Sequence, residues 1–246
     1  MTLLSLTQVT RRYGDGRREV AVLDRVCMEV DAGDFVGVWG PRRSGKTTLL
    51  RVAAGIEAPN AGAVCFDGHV LTSMGANERA RLLRAHGIAH VSGDWRPQLS
   101  QPAVDSVAMP LLGDRISLRE ARPLARRALE KVGAGECADV WTGRLSQGER
   151  IRVALARAIV REPRLLLIDE PAVSPSPLEC GELYALLRSL ANDSKLAVLV
   201  ASEDLEALAG ARRSMSISNG ELRSMDPAGV VLAFPDRRAV RAEPSA

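Results

Sequence analysis

One stretch of the chain carries the residue types that hold a polyphosphate. Gly40-Pro41-Arg42-Arg43-Ser44-Gly45-Lys46-Thr47 brackets four residues between two glycines and ends on a lysine and a threonine. Glycines let backbone N–H groups turn inward around phosphate oxygens, and a helix beginning at the lysine aims the positive end of its dipole at the same anion. Lys46 is then the candidate to reach the β- and γ-phosphates, Thr47 the candidate ligand of Mg²⁺, and Thr48 follows in the first helical turn. The plain structural alternative is a glycine-rich turn at a helix start. The context favours the phosphate loop. The apolar strand Phe35–Trp39 runs directly into Gly40, and Thr48–Ala54 reads as a helix closed by Gly55.

Such a loop requires a carboxylate from elsewhere in the chain to place Mg²⁺ and water. Leu165-Leu166-Leu167-Ile168 is a buried strand of the parallel-sheet kind, and Asp169 and Glu170 end it. Asp169 is the candidate to hold Mg²⁺ through water, and Glu170 the candidate base that polarises the attacking water. A strand ending in an ordinary polar turn is the alternative. A third segment, Leu145-Ser146-Gln147-Gly148-Glu149-Arg150, opens a helix. Ser146 and Gly148 there make an anion site, and Ser146 with Glu149 also has the spacing of a capping box.

With its continuation through Ile151–Ala158, the third segment resembles the signature of the ABC ATPases. Together with the phosphate loop and Asp169-Glu170-Pro171, the resemblance covers about residues 3 to 225. Val20-Ala21-Val22-Leu23 and Val107-Ala108-Met109-Pro110-Leu111-Leu112 are similar to the branch of lipoprotein-release and macrolide-exporter nucleotide-binding subunits. The resemblance implies ATP and Mg²⁺ bound by Gly40, Pro41, Arg42, Arg43, Ser44, Gly45, Lys46, Thr47, Thr48 and Asp169. It implies Glu170 as the catalytic carboxylate and Tyr13 stacked on adenine, the alternative for Tyr13 being an ordinary surface aromatic. It also implies a head-to-tail pair of subunits, in which Ser146, Gln147, Gly148 and Glu149 close on the γ-phosphate held by the other subunit.

Three positions depart from that family pattern. Gly93 stands where a Gln is usual, with Gln98 five residues on; Ser176 replaces an Asp; and Ser202 replaces a His that contacts the γ-phosphate. The groups that bind nucleotide are retained, while those that position hydrolysis are depleted. Loss of one such electrostatic contact costs about 10²–10³ in rate, so slow hydrolysis in this subunit is expected. A second nucleotide-binding subunit with the usual Gln and His, a different chain, is the expected partner rather than a second copy.

The elements that position these groups alternate strand and helix at both ends of the chain. Leu3–Val9 reads as a strand, Val20–Val30 as a strand-pair region, Val64–Phe66 and Ala197–Ala201 as strands, and Ser214–Ile217 before Asn219-Gly220 as an edge hairpin. Arg79–Val160 reads as mostly helical. Its clearest helix, Ser117–Val132, sets Leu118, Leu124, Ala128, Leu129 and Val132 on one face. Leu178–Leu190 and Asp204–Ala209 read as further helices. The fold class is therefore α/β, expected as a P-loop NTPase core of the ABC ATPase kind with an antiparallel β edge and an inserted α-helical subdomain. Residues 1–225 form the expected ATPase domain with the helical part at about 87–160, and 226–246 a partly disordered tail.

Composition excludes other classes. The 246 residues are 46% hydrophobic and 26% charged, outside the range of a disordered chain. The longest Gly-free apolar run is Leu196–Ala201, far short of the roughly 20 residues of a membrane span. Met1–Ser5 lacks the basic region of a signal peptide. The net charge of +3 and 3% aromatic content argue against nucleic acid. Four dispersed cysteines argue against zinc and for free thiols. Thirty Arg against three Lys, with abundant Ala, suggests GC-rich coding and a bacterial source. The expected function is the ATPase subunit of a bacterial transporter, held at the cytoplasmic face of the membrane by a separate permease. The alternative is a regulatory ATP-binding clamp beside a competent ATPase. A soluble family member acting in DNA repair or on ribosomes is disfavoured, because the chain has neither a long coiled coil nor a second cassette.

Overall fold

The computed structural model of the chain describes residues 1–14, 19–92, 100–113, 116–170, 177–193, 195–208 and 210–225. Its strands are β1 (Thr2–Tyr13), β2 (Val20–Asp31), β3 (Phe35–Trp39), β4 (Ala61–Phe66), β5 (His69–Val70), β6 (Ile88–Ser92), β7 (Leu165–Asp169), β8 (Ala197–Ser202), β9 (Arg213–Ser218) and β10 (Glu221–Met225). Its α-helices are α1 (Lys46–Ala53), α2 (Ala76–His86), α3 (Ala103–Leu112), α4 (Leu118–Lys131), α5 (Gln147–Ile159) and α6 (Pro177–Asp193).

Two sheets result. A small antiparallel sheet runs β2-β1-β4-β5, and a six-stranded sheet runs β10-β9-β3-β8-β7-β6. In the larger sheet β3, β6, β7, β8 and β9 are parallel, and β10 pairs antiparallel with β9 at the edge. Period-2 alternation assigns the side chains of this sheet to two cores. Leu166, Ile168, Val198 and Val200 pack against the helical side, with α3, α4, α5 and α6. Leu165, Leu167, Ala197 and Leu199 pack against α1 and the small sheet. Because both faces are covered, β7 and β8 are buried at every position.

The register of the parallel strands matters for function. Trp39 pairs with Ser202, Ala201 with Asp169, and Asp169 with Ser92. The carboxyl ends of β3, β8, β7 and β6 are therefore level. Ligands of open parallel sheets bind beyond that edge.

Several elements differ from their sequence reading. Val20–Asp31 is one strand rather than a strand pair, its pairing with β1 accommodated by register shifts. The helical stretch expected over Arg79–Val160 is interrupted by β6, whose backbone pairs with β7 inside the six-stranded sheet. Among the described residues after β6, the helical part consists of α3, α4 and α5, which pack on one another. On α4 the buried residues are Ala121, Ala125, Ala128 and Leu129, whereas Leu118 and Leu124 are exposed. Spacings of four, three and one align a stripe of small residues, and alanines admit a closer helix neighbour than leucines do. The helix expected at Asp204–Ala209 is a 3₁₀ turn, Leu205–Leu208. The tail at 226–246 lies outside the described residues.

Candidate functional site

β3 delivers the phosphate loop directly to the level edge of the sheet. The Gly40 N–H donates to the Ser202 carbonyl at 3.2 Å, which fixes where the loop begins. A Cβ on Gly40 would lie 2.6 Å from both the Ile217 carbonyl oxygen and Ser44 Oγ. Gly45 has φ +106° and would set a Cβ 2.8 Å from the Val22 carbonyl oxygen. Both glycines are thus demanded by close approach, and Gly45 also by its backbone. Gly45 is the N-cap of α1 and, having no side chain, makes no side-chain cap hydrogen bond. Arg43 also adopts positive φ, at 62°.

Lys46 is only 5% exposed. Its Nζ donates to the Gly40 carbonyl at 2.7 Å and the Pro41 carbonyl at 3.0 Å, and lies 3.0 Å from Glu170 Oε1. Glu203 Oε1 is 3.9 Å away, and Glu203 Oε2 pairs with Arg42 Nε at 3.4 Å. The Arg42 pair is largely solvent-exposed and contributes little. The Lys46–Glu170 contact joins residues more than a hundred positions apart, and the register of β3, β8 and β7 makes it possible.

Glu170 takes a left-handed backbone, φ 47°, as the chain leaves β7. Its N–H donates to the Ala201 carbonyl at 2.9 Å, and its Oε2 accepts from the Glu203 N–H at 3.2 Å. Ser202, 1% exposed, places its Oγ 3.5 Å from Glu170 Oε2 and accepts from the Asp204 N–H at 3.0 Å. Trp39 Nε1 donates to the Glu203 carbonyl at 2.9 Å and braces the same turn. Glu203 is a site residue that motif reading did not single out. Its sequence signal is that it directly follows Ser202 at the end of the apolar run Leu196–Ala201.

Three buried oxygens on these segments have no hydrogen-bond partner among the described residues: Asp169 Oδ1, Ser44 Oγ and Glu170 Oε1, of which the last is held by its ion pair with Lys46. Asp169 is 5% exposed and Ser44 9%. A carboxylate oxygen buried without a donor is costly unless a cation or bound water completes it, so the donor set fits Mg²⁺, a hard ion that takes oxygen ligands. Thr47, the other expected ligand, is exposed on the first turn of α1. Tyr13 stands at the end of β1, with its hydroxyl 3.5 Å from Thr48 Oγ1.

Ser146 to Glu149 form a separate arrangement at the start of α5. Ser146 is the N-cap, and the capping box is complete: the Glu149 N–H donates to Ser146 Oγ at 3.3 Å, and the Ser146 N–H to Glu149 Oε2 at 2.7 Å. These bonds hold the Glu149 carboxyl below its usual range. Among the described residues, the side-chain hydrogen bonds of Ser146 and Glu149 run to each other and to Cys137, and none ties them to residues 40–48, 169–170 or 202–203. Gly93, Gln98 and Ser176 lie outside the described residues.

Glu149 Oε1 accepts from Cys137 Sγ at 3.2 Å. Burial first, and then this carboxylate, push the Cys137 thiol up to about 11. At pH 8 Cys137 stays a thiol, whereas Cys27 is exposed. We expect maleimide to label Cys27 fastest and Cys137 last in the native chain, as read by mass spectrometry over time. Labelling of Cys137 as fast as Cys27 would contradict its placement.

Comparison with known proteins agrees with the geometry. A family model described as "ABC transporter" matches residues 23–173. The chain is 37% identical over 221 residues to the lipoprotein-releasing system ATP-binding protein LolD of Chromohalobacter salexigens, covering 89% of this chain and 92% of that one. LolD of Pseudomonas syringae pv. tomato is 33% identical, at 89% and 96% coverage. Among solved structures, the dimeric bacterial ABC transporter cassette MJ0796 superposes with a TM-score of 0.82 at 26% identity, over 92% of this chain and 99% of that one. The same cassette in a post-hydrolysis dimer bound to ADP and Pi gives 0.81 at 25% identity. No described helix is long and apolar enough to cross a membrane. The chain therefore belongs to the ABC transporter family, as one of its ATP-binding subunits.

Proposed function

We propose that this subunit binds and hydrolyses MgATP at the level sheet edge and drives a separate membrane permease of the lipoprotein-releasing kind. The observation that carries this reading is the meeting of Lys46 and Glu170 at 3.0 Å beyond the carboxyl ends of β3 and β7. A phosphate-binding cation and a base are thereby brought to one place from distant segments. The relationship to LolD proteins supplies the transporter class.

In this reading the triphosphate enters the loop 40–47, and Lys46 exchanges Glu170 and the two loop carbonyls for phosphate oxygens. Glu170, released from Lys46 but still held through Oε2 by the Glu203 N–H, takes the proton of the attacking water. Loop N–H groups and Lys46 meet the charge that grows on the transferred phosphoryl group. Thr47 and Asp169 hold Mg²⁺, which neutralises phosphate charge when bound. Ser146, Gln147, Gly148 and Glu149 close on the γ-phosphate in a second subunit's site, so two chains in head-to-tail order are needed for a complete site. The domain limits proposed are 1–225 for the ATPase unit and 226–246 for a tail, and the subunit sits at the cytoplasmic face through its permease.

Slow hydrolysis is the finer part of the proposal. Ser202 spends its hydroxyl on Glu170 and on the Asp204 N–H, and it lacks the ring nitrogen of the usual His. The dimeric cassette among the relatives gives no reason to prefer a different chain over a second copy as partner. A regulatory clamp is the second reading, motivated by the same Ser202.

Purification from membranes of the native host tests the assignment, with the co-purifying chains identified by mass spectrometry. A permease should accompany the subunit, and recovery of the subunit alone under gentle detergents would overturn the transporter reading. In such a complex the double change Gly93→Gln and Ser202→His should raise ATP turnover by about tenfold or more. Unchanged turnover would sink the slow-hydrolysis proposal while leaving the assignment standing.

A further inference from the structure

Resting on the reading of Tyr13 as the residue that stacks on adenine, we infer that Arg11 and Glu57 form a buttress that holds its ring ready for the base. Three observations converge. The Tyr13 hydroxyl donates to Glu57 Oε1 at 2.5 Å. The Arg11 guanidinium sits 4.7 Å from the ring centroid and covers one face. Arg11 and Glu57 close the triangle, with Nε to Oε1 at 2.8 Å and Nη2 to Oε1 at 2.7 Å. Both charged side chains are largely shielded, 24% and 17% exposed, whereas Tyr13 keeps 40% exposure.

The backbone around this triangle is fixed as well. Residues after α1 fold back onto the end of β1: the Asn60 N–H donates to the Thr10 carbonyl at 2.8 Å, and the Arg12 N–H donates to Asn60 Oδ1 at 2.8 Å. The Glu57 N–H donates to the Arg51 carbonyl at 3.2 Å, which ties Glu57 to the helix that begins at Lys46. A ring anchored at its hydroxyl and backed on one face offers the base its other face. It also has little rotamer freedom left to lose on binding. The guanidinium draws electron density in the ring toward itself, so the buttress acts through geometry and through the face it leaves open. Arg11 and Glu57 are thus positioning residues, and neither needs to touch the nucleotide.

The test compares MgATP with magnesium tripolyphosphate, which engages the phosphate loop but has no base. Calorimetry on the full chain gives both affinities for parent, Tyr13→Ala, Glu57→Gln, Arg11→Met and Arg11→Lys. Tyr13→Ala should weaken MgATP by about 5- to 150-fold, the range of a base–aromatic stack, with tripolyphosphate unchanged. Glu57→Gln and Arg11→Met should each weaken MgATP by about threefold or more with tripolyphosphate again unchanged, and Arg11→Lys should restore most of the loss. If Tyr13→Ala lowers neither ligand, the stacking reading itself fails. If Tyr13→Ala is selective but Glu57→Gln and Arg11→Met are not, the buttress fails and stacking survives. Equal weakening of both ligands in Glu57→Gln, whose size is unchanged, would make the triangle merely structural and overturn the inference.

Discussion

Lys46→Ala abolishes tight MgATP binding: calorimetry on the purified chain should show an affinity at least about a hundredfold weaker than the parent's. Lys46 is the buried cation of the loop, 5% exposed and in contact with the loop carbonyls and Glu170, whereas Arg42 and Arg43 are exposed. Charge-assisted hydrogen bonds are worth about 1.5–3 kcal/mol each, and a lysine bridging two phosphates makes two of them. The substitution also leaves Glu170 without its cation, so a thermal scan without nucleotide belongs beside the titration. A chain that stays folded and binds MgATP as tightly as the parent would remove the phosphate-loop assignment. Tripolyphosphate should be lost together with ATP, because the missing contact is to phosphate and not to the base.

Glu170→Gln should separate chemistry from binding. In the assembled complex, turnover is expected to fall by about 10²–10⁴, the contribution of a positioned general base, while MgATP affinity stays within a few-fold of the parent. The amide keeps the size of the carboxylate, and its oxygen can still accept the Glu203 N–H that now holds Oε2 at 3.2 Å. What it loses is the ability to take a proton from water. The left-handed backbone at residue 170 and the bond from its N–H to the Ala201 carbonyl are main-chain features, and the substitution leaves both in place. Parallel loss of affinity and turnover would instead make Glu170 a binding group, its chief partner being Lys46. Full turnover in the variant would assign the base to another residue, with Glu203, whose Oε1 lies 3.9 Å from Lys46 Nζ, the first to test. The two substitutions together therefore divide the site into the part that holds phosphate and the part that moves a proton.

What the sequence determined by itself is local. Gly40, Gly45, Lys46 and Thr47 lie within one turn and the start of one helix, so their spacing alone defines a concave run of N–H groups with a cation at its end. The capping box of Ser146 and Glu149 is legible for the same reason, since residues three apart at a helix start must meet. The uninterrupted apolar runs of β7 and β8 announce strands covered on both faces.

Tertiary structure decided everything that depends on which strands are neighbours. Asp169 reaches the phosphate loop's edge because β8 pairs with both β3 and β7 in matching register, and no spacing in the chain encodes that alignment. Glu203 enters the site by the same pairing and carries no motif of its own. Ile88–Ser92 became a strand because β7 offers an edge to it, although the segment stands between helices. On α4 the choice of Ala121 and Ala125 over Leu118 and Leu124 follows from how closely its neighbours approach, which helical periodicity cannot specify. The family resemblance reads Tyr13 as the aromatic that stacks on adenine, but nothing in the sequence says what holds its ring. Its contacts with Arg11 and Glu57 exist because the segment after α1 returns to the end of β1, a long-range closure that places three side chains, unremarkable in sequence, in one triangle.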